Sequence, residues 1–139
     1  MYDKILVAVD HSEPSDRALL AARDLALLSK GEVWILHLRE REIITKTSVV
    51  MTDETEREAT SMIEAAVDKL TAAGVKAYGH VGTTIFGYAA RSIVDDAIEH
   101  DVDVIVMGSR GRGDLAGLVL GSTAHKVIHL ADRPVMIVR

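Results

Sequence analysis

A chain of 139 residues is long enough for one compact domain, and 48% hydrophobic with 27% charged residues is the balance of an ordinary globule. The absence of cysteine excludes disulfides, thiolate metal sites and a cysteine nucleophile, and suits a cytoplasmic protein. The formal net charge of −5, with no cluster of Lys and Arg, argues against a nucleic-acid partner; the first apolar run is too short for a signal peptide, and no run approaches the ~18 residues of a membrane-spanning helix.

Lys4–Val9 (KILVAV) is continuously apolar and β-branched, as a central strand buried on both faces must be. Asp10–Ser15 is a turn with helix-start chemistry. Ser12 suits an N-cap and Pro14 a first helical turn. Ala18, Leu19, Ala22, Leu25 and Ala26 then recur at helical spacing, and Gly31 marks the stop. Val33–Leu38 is a second strand. Arg39–Thr52 reads as a long connection that opens RERE and carries Ile43, Ile44, Val49, Val50 and Met51. Links of this length are uncommon in compact domains and often functional. Three placements are open for its apolar residues: on the domain, over a ligand, or against a partner.

Asp53–Ala73 predicts a helix with acidic first turns and an inward stripe of Met62, Ile63, Ala66, Val67 and Leu70, closed by Gly74. Val75–Val81 is a weaker strand whose end is left open toward Ile85 by Gly82, Gly87 and two threonines. Tyr88–His100 predicts a helix with Ala90, Ile93, Val94, Ala97 and Ile98 inward. Val102–Met107 is a second central-type strand. Gly121–Ala131 is the last helix, and Pro134–Val138 the last strand, with its proline suiting an edge. This alternation means a parallel sheet with helices on both faces. No repeat, linker or low-complexity tract interrupts it.

The stretch Gly108–Thr123, GSRGRGDLAGLVLGST, joins the end of a buried strand to the start of a helix. Glycines let backbone N–H groups approach a phosphate, and the free N–H groups of a helix start point at it. The spacing is neither a Walker A loop, since no Lys precedes Ser122, nor GxGxxG. In open α/β sheets ligands sit beyond the carboxyl ends of the central strands, where the strand order reverses. If Lys4–Val9 and Val102–Met107 are neighbours, the Asp10-His11-Ser12 turn and the glycine loop face one crevice. Ser122 offers a hydroxyl and a helix-start N–H. Arg110 and Arg112 can neutralise a triphosphate or serve as plain solvated charges. Asp10, which phosphates would repel, suits a ribose hydroxyl or a metal, and also suits an N-cap. His11 abuts the crevice. His37, inside a strand, reads as a satisfied buried histidine, and Trp34 as core. His125 and His129, at i and i+4, share a helix face without a third ligand in sight.

The pattern G-x2-G-x9-G-[S/T], near the end of a domain that begins KILVAVDxSEPS, resembles the universal stress proteins. The likeness covers nearly the whole chain, through HDVDVIVMGSRG at His100–Gly111, LGST at Leu120–Thr123 and RPVMIVR at Arg133–Arg139. It implies a Rossmann-like, five-stranded parallel sheet of order 3-2-1-4-5 and a cytoplasmic homodimer paired through Pro134–Val138. It also implies ATP as ligand, with Mg or Mn as the accompanying metal. On the family pattern Gly108, Gly111, Gly121 and Ser122 match the phosphate motif, with Ser109 inside it and Thr123 just after it. Asp10 matches the acidic residue near ribose and adenine, Ala8 and Leu38 match adenine-facing positions beside Val9, and Met107 matches the floor. Relatives commonly carry a G-x-P turn before the third helix; GTTIFGYA at Gly82–Ala89 has no proline. The function implied is a nucleotide-dependent stress-response module. A slow ATPase or self-phosphorylating enzyme, and a dimeric interaction module without functional nucleotide, are the alternatives.

Overall fold

The structure is a computed structural model and describes residues 1–51, 54–111 and 119–139. Five strands form a parallel sheet: β1 (Lys4–Val9), β2 (Glu32–Thr45), β4 (Lys76–Ile85), β5 (Val104–Gly108) and β6 (Val135–Val138). Their spatial order is β4-β2-β1-β5-β6, which in chain order of the parallel strands is the expected 3-2-1-4-5. The sixth strand, β3 (Ser48–Met51), corrects the reading of Arg39–Thr52 as a connection. β2 runs on to Thr45, pairs with β4 as far as Arg41–Ile85, and turns back as an antiparallel hairpin with β3. The alternating charge of RERE concealed this, because a strand past the edge of the core has no apolar face to declare it.

Helices α1 (Glu13–Ser29) and α2 (Glu56–Ala72) cover one face of the sheet, and α3 (Ala89–Glu99) and α4 (Ser122–Leu130) the other. Strand alternation sorts the core accordingly. Ile5, Val7, Val33, Ile35, Val104 and Val106 pack under α1 and α2. Leu6, Leu36, Ile105 and Met107 pack under α3 and α4. Inward positions of the helices match the periodicity, with one exception. Ile98 is exposed, because it lies about 100° round the helix from the buried Ala97 and falls off the end of the stripe.

Local signals set the helix ends. Ser12 caps α1, its hydroxyl accepting from the Ser15 N–H at 3.2 Å, and Pro14 occupies the first turn. The stop of α1 is Lys30, left-handed at φ 58°, and not Gly31. Gly31 is required for another reason: a Cβ there would lie 2.5 Å from the Tyr2 carbonyl oxygen and 2.8 Å from that of Asp3. α2 starts later than Asp53. Thr55 and Glu58 form a reciprocal capping box, which leaves Glu54 outside the helix. Gly74, at φ +86°, turns the chain out of α2 as the sequence predicts. Trp34 is half-buried, stacked on Tyr78 with ring centroids 4.8 Å apart.

Gly31→Ala is expected to lower stability by about 1–3 kcal/mol, the cost of forcing an atom into filled space. A urea midpoint unchanged from wild type would contradict the close approach.

Candidate functional site

At the carboxyl ends of β1 and β5, beside the middle of β2, lies a cavity of about 110 Å³. Its floor is one cross-strand row in which Ala8 pairs with Leu36 on one side and Met107 on the other. Ala8, the smallest member, leaves the space that its neighbours wall. Leu38 extends the wall on β2, and Ile93 and Ala124 close it from α3 and α4.

The two expected loops do converge here. Gly108 ends β5 against the start of α1, where a Cβ would sit 2.9 Å from both the carbonyl carbon and the Cβ of Pro14. The Ser12 hydroxyl reaches the Arg110 carbonyl oxygen at 3.5 Å. The β1–α1 turn is itself locked. The Asp10 carboxylate accepts the Ser12 N–H at 2.8 Å, while the Ser15 hydroxyl accepts the Asp10 N–H and donates to the Asp10 carbonyl. Ser12, not Asp10, is the helix cap, so the Asp10 carboxylate serves the turn and lines the cavity.

The start of α4 is built differently from that of α1. Gly121 occupies its N-cap, no side chain of the described residues caps it, and its first turn holds no acidic residue. The first intrahelical bond is His125 N–H to Gly121 carbonyl, so the N–H groups of Ser122, Thr123 and Ala124 lie ahead of it. Thr123 and Ala124 line the cavity, as does Ala89 at the side-chain-uncapped start of α3. Helix starts of this kind attract anions.

Of the residues singled out from sequence, Ala8, Val9, Asp10, Leu38, Met107, Gly108, Arg110, Gly111 and Thr123 line the cavity. Three stand off its wall. Ser109 is buried, its N–H bonded to Val138 and its carbonyl to the Gly121 N–H, so it ties β6 to α4. Gly121 is buried as the cap, and the Ser122 residue is exposed. Arg112 lies outside the described residues. Sequence reasoning missed Glu40, which lines the cavity from the outer part of β2. Burial, and after it the charge of Asp10, raises the Glu40 carboxyl above its ordinary value. Its only signal was its place in RERE.

On the opposite sheet face, His11 does not turn toward the cavity. Its Nε2 lies 2.8 Å from Glu54 Oε1, and the buried His37 places its Nε2 2.7 Å from Glu54 Oε2. Burial alone would raise the Glu54 carboxyl, but hydrogen bonds and charge from His11 and His37 outweigh it and hold it below its ordinary value. His125 and His129 pair edge to face on α4, with centroids 4.7 Å apart.

Comparison with known proteins agrees with this architecture. The Universal stress protein family matches residues 1–139. The chain belongs to this family. It is 36% identical to the universal stress protein YxiE of Bacillus subtilis over the full length of both chains. Among solved structures, the protein MJ0577 of Methanocaldococcus jannaschii superposes with a TM-score of 0.76 at 28% identity, covering 99% of this chain and 96% of that one. The universal stress protein of Archaeoglobus fulgidus in complex with dAMP gives 0.74 at 28% identity, covering 99% and 98%.

Two outcomes test the geometry. Gly108→Ala should lower stability by about 1–3 kcal/mol with or without ligand, because the clash is with the chain's own backbone; an unchanged denaturation midpoint would refute the packing role. For Glu40 the raised carboxyl means that stability is present below the ordinary carboxylate range and lost as pH rises through the folded value. Glu40→Gln should therefore melt like wild type in acid and above it at neutral pH. Parallel melting curves at both pH values would show that the carboxylate carries no such strain.

Proposed function

We propose that this universal stress protein binds an adenine nucleotide, ATP in the cell, in the cavity above Ala8, and acts as a cytoplasmic nucleotide-dependent regulatory module. The observation that carries the reading is the pairing of an apolar floor with an anion-attracting helix start in one cavity. Ala8, Leu38 and Met107 offer apolar surface to a purine, as ligand pockets do. Asp10 stands where a ribose hydroxyl, a donor, is a better partner than a phosphate. The start of α4, with Gly111, Thr123 and Arg110 around it, suits the phosphates. The complex of a 28% identical relative with dAMP supports an adenine nucleotide. Asp10 and Glu40 are the carboxylates among the described cavity-lining residues; they stand on the β1 and β2 side, so the Mg²⁺ or Mn²⁺ that accompanies a triphosphate would be held mainly by the phosphates and water.

Output by altered conformation or partner, with little turnover, suits a lining made mostly of backbone and apolar side chains. Among the described residues no helix is long and apolar enough to cross a membrane. The homodimer belongs to the same proposal. β6 pairs only with β5 among the described strands, and its exposed Met136 lies on a sheet edge open to a second copy.

Ser122→Asp separates binding from folding. A carboxylate in the first turn of α4 complements the helix dipole, so stability should hold or rise by about 0.3–1 kcal/mol. The same charge opposes phosphate, so ATP affinity measured by calorimetry should fall about tenfold or more, equivalent to about 1.4 kcal/mol. ATP binding equal to wild type, or none in either protein at millimolar nucleotide, would overturn the assignment. Light scattering should give the mass of a dimer and, for Met136→Lys, of a monomer; a monomeric wild type would remove the β6 interface.

A further inference from the structure

His11, His37 and Glu54 come from three separate segments: the β1–α1 turn, the buried stretch of β2, and the residues just before α2. Their ligand-capable atoms all lie within 4.8 Å of one another. His37 occupies the face of β2 shared with Val33 and Ile35, whereas the nucleotide cavity is walled by Leu36 and Leu38. The cluster is therefore a second site at the same end of the sheet, on the face covered by α1 and α2.

The protonation of His37 is constrained by its neighbours. Its Nδ1 lies 2.8 Å from the Val9 carbonyl oxygen, which can only accept, so Nδ1 carries the proton. In the neutral ring, Nε2 is then a bare lone pair, and it faces a carboxylate oxygen at 2.7 Å. Two acceptors at that distance repel. The contact is satisfied by a proton between them, which makes His37 an imidazolium with a side chain only 4% exposed, or by a cation. The second ring faces the same carboxylate, with His11 Nε2 2.8 Å from its other oxygen.

We propose that His11, His37 and Glu54 bind a divalent first-row transition-metal ion of the zinc type. The donor set is two imidazoles and one carboxylate, which suits Zn²⁺ far better than Mg²⁺. The Nδ1–H bond from His37 to Val9 is the outer-shell contact that metal-ligating histidines make: it fixes the tautomer and aims Nε2 inward. Tetrahedral coordination at about 2.0–2.1 Å requires donors about 3.3 Å apart, so the Nε2–Oε distances of 2.8 and 2.7 Å need to open by roughly half an ångström. Glu54 can supply that shift, because it precedes the Thr55 cap and lies outside the helix. His11, with a side chain 38% exposed, gives the ion access to solvent and a position for water. Arg39 lies nearby and is engaged elsewhere on Glu54: its Nη2 donates to the backbone carbonyl at 3.1 Å. With neutral imidazoles, the Glu54 carboxylate offsets one charge of the ion. Metal binding would staple the turn carrying Asp10 to β2 and α2.

The test uses untagged, nucleotide-free protein stripped by chelator. Zn²⁺ is titrated by calorimetry, and Co²⁺ is added separately to read the visible bands of a tetrahedral site. One equivalent of Zn²⁺ per chain is expected, with a rise in melting temperature as the ion is added. His11→Ala and Glu54→Gln should each weaken binding by at least about tenfold, no less than the usual loss of an outer-shell partner, and abolish the Co²⁺ bands. His11 is the primary variant, since it is partly exposed and its removal leaves the His37–Val9 bond intact. The double variant His125→Ala/His129→Ala should bind as wild type does. Absence of saturable binding at micromolar Zn²⁺, or binding that survives His11→Ala and disappears in the α4 double variant, would overturn the proposal. Because no nucleotide is present, its outcome is independent of the ATP reading.

Discussion

The close approach of Gly108 to Pro14 is the constraint on which the functional end of the molecule depends. Strand β5 ends against the first turn of α1, at a separation that a single Cβ would fill. This contact seats the β1–α1 turn beside the loop that leaves β5, and so makes one cavity of two strand ends. Glycine at this position is thus demanded by the fold itself, before any ligand approaches. Its effect on binding is indirect: it sets where the Asp10 turn stands relative to the start of α4.

Around that junction the charges divide by helix. The start of α1 is closed by Ser12 and carries Glu13 and Asp16. Among the described residues, the start of α4 carries neither a capping side chain nor an acid in its first turn. One dipole is satisfied by the chain's own side chains; at the other, none of the described side chains does this. The carboxylates of Asp10 and Glu40 stand on the β1 and β2 side of the cavity, Glu40 raised by burial and then by Asp10. The cavity therefore has a negative wall and a positive helix start. An elongated ligand with a neutral end and an anionic end has one favourable direction in it.

The two faces of the sheet carry different chemistry because side chains alternate along a strand. Leu36 and Leu38 belong to the cavity face; His37 between them belongs to the other. His37 is buried and hydrogen-bonded, as a histidine inside a strand should be. Its partner Glu54 was unreadable, because an acidic residue before a helix suits the helix dipole whatever else it does. Only the packing of α2 brings it to the two imidazoles.

The sequence by itself determined the five parallel strands, the inward faces of the helices and the convergence of the Asp10 turn with the Gly108 loop. Apolar runs, helical periodicity and caps are local, and β1 beside β5 follows from their both being central. Tertiary structure alone decided the β2–β3 hairpin, the exposure of Ile98, the packing role of Gly108, and the partners of Glu40 and Glu54. The physical reason is common to them. A charged residue or a glycine carries no periodicity that names its neighbour, and its role is fixed only when a distant segment, brought in by the core, closes on it.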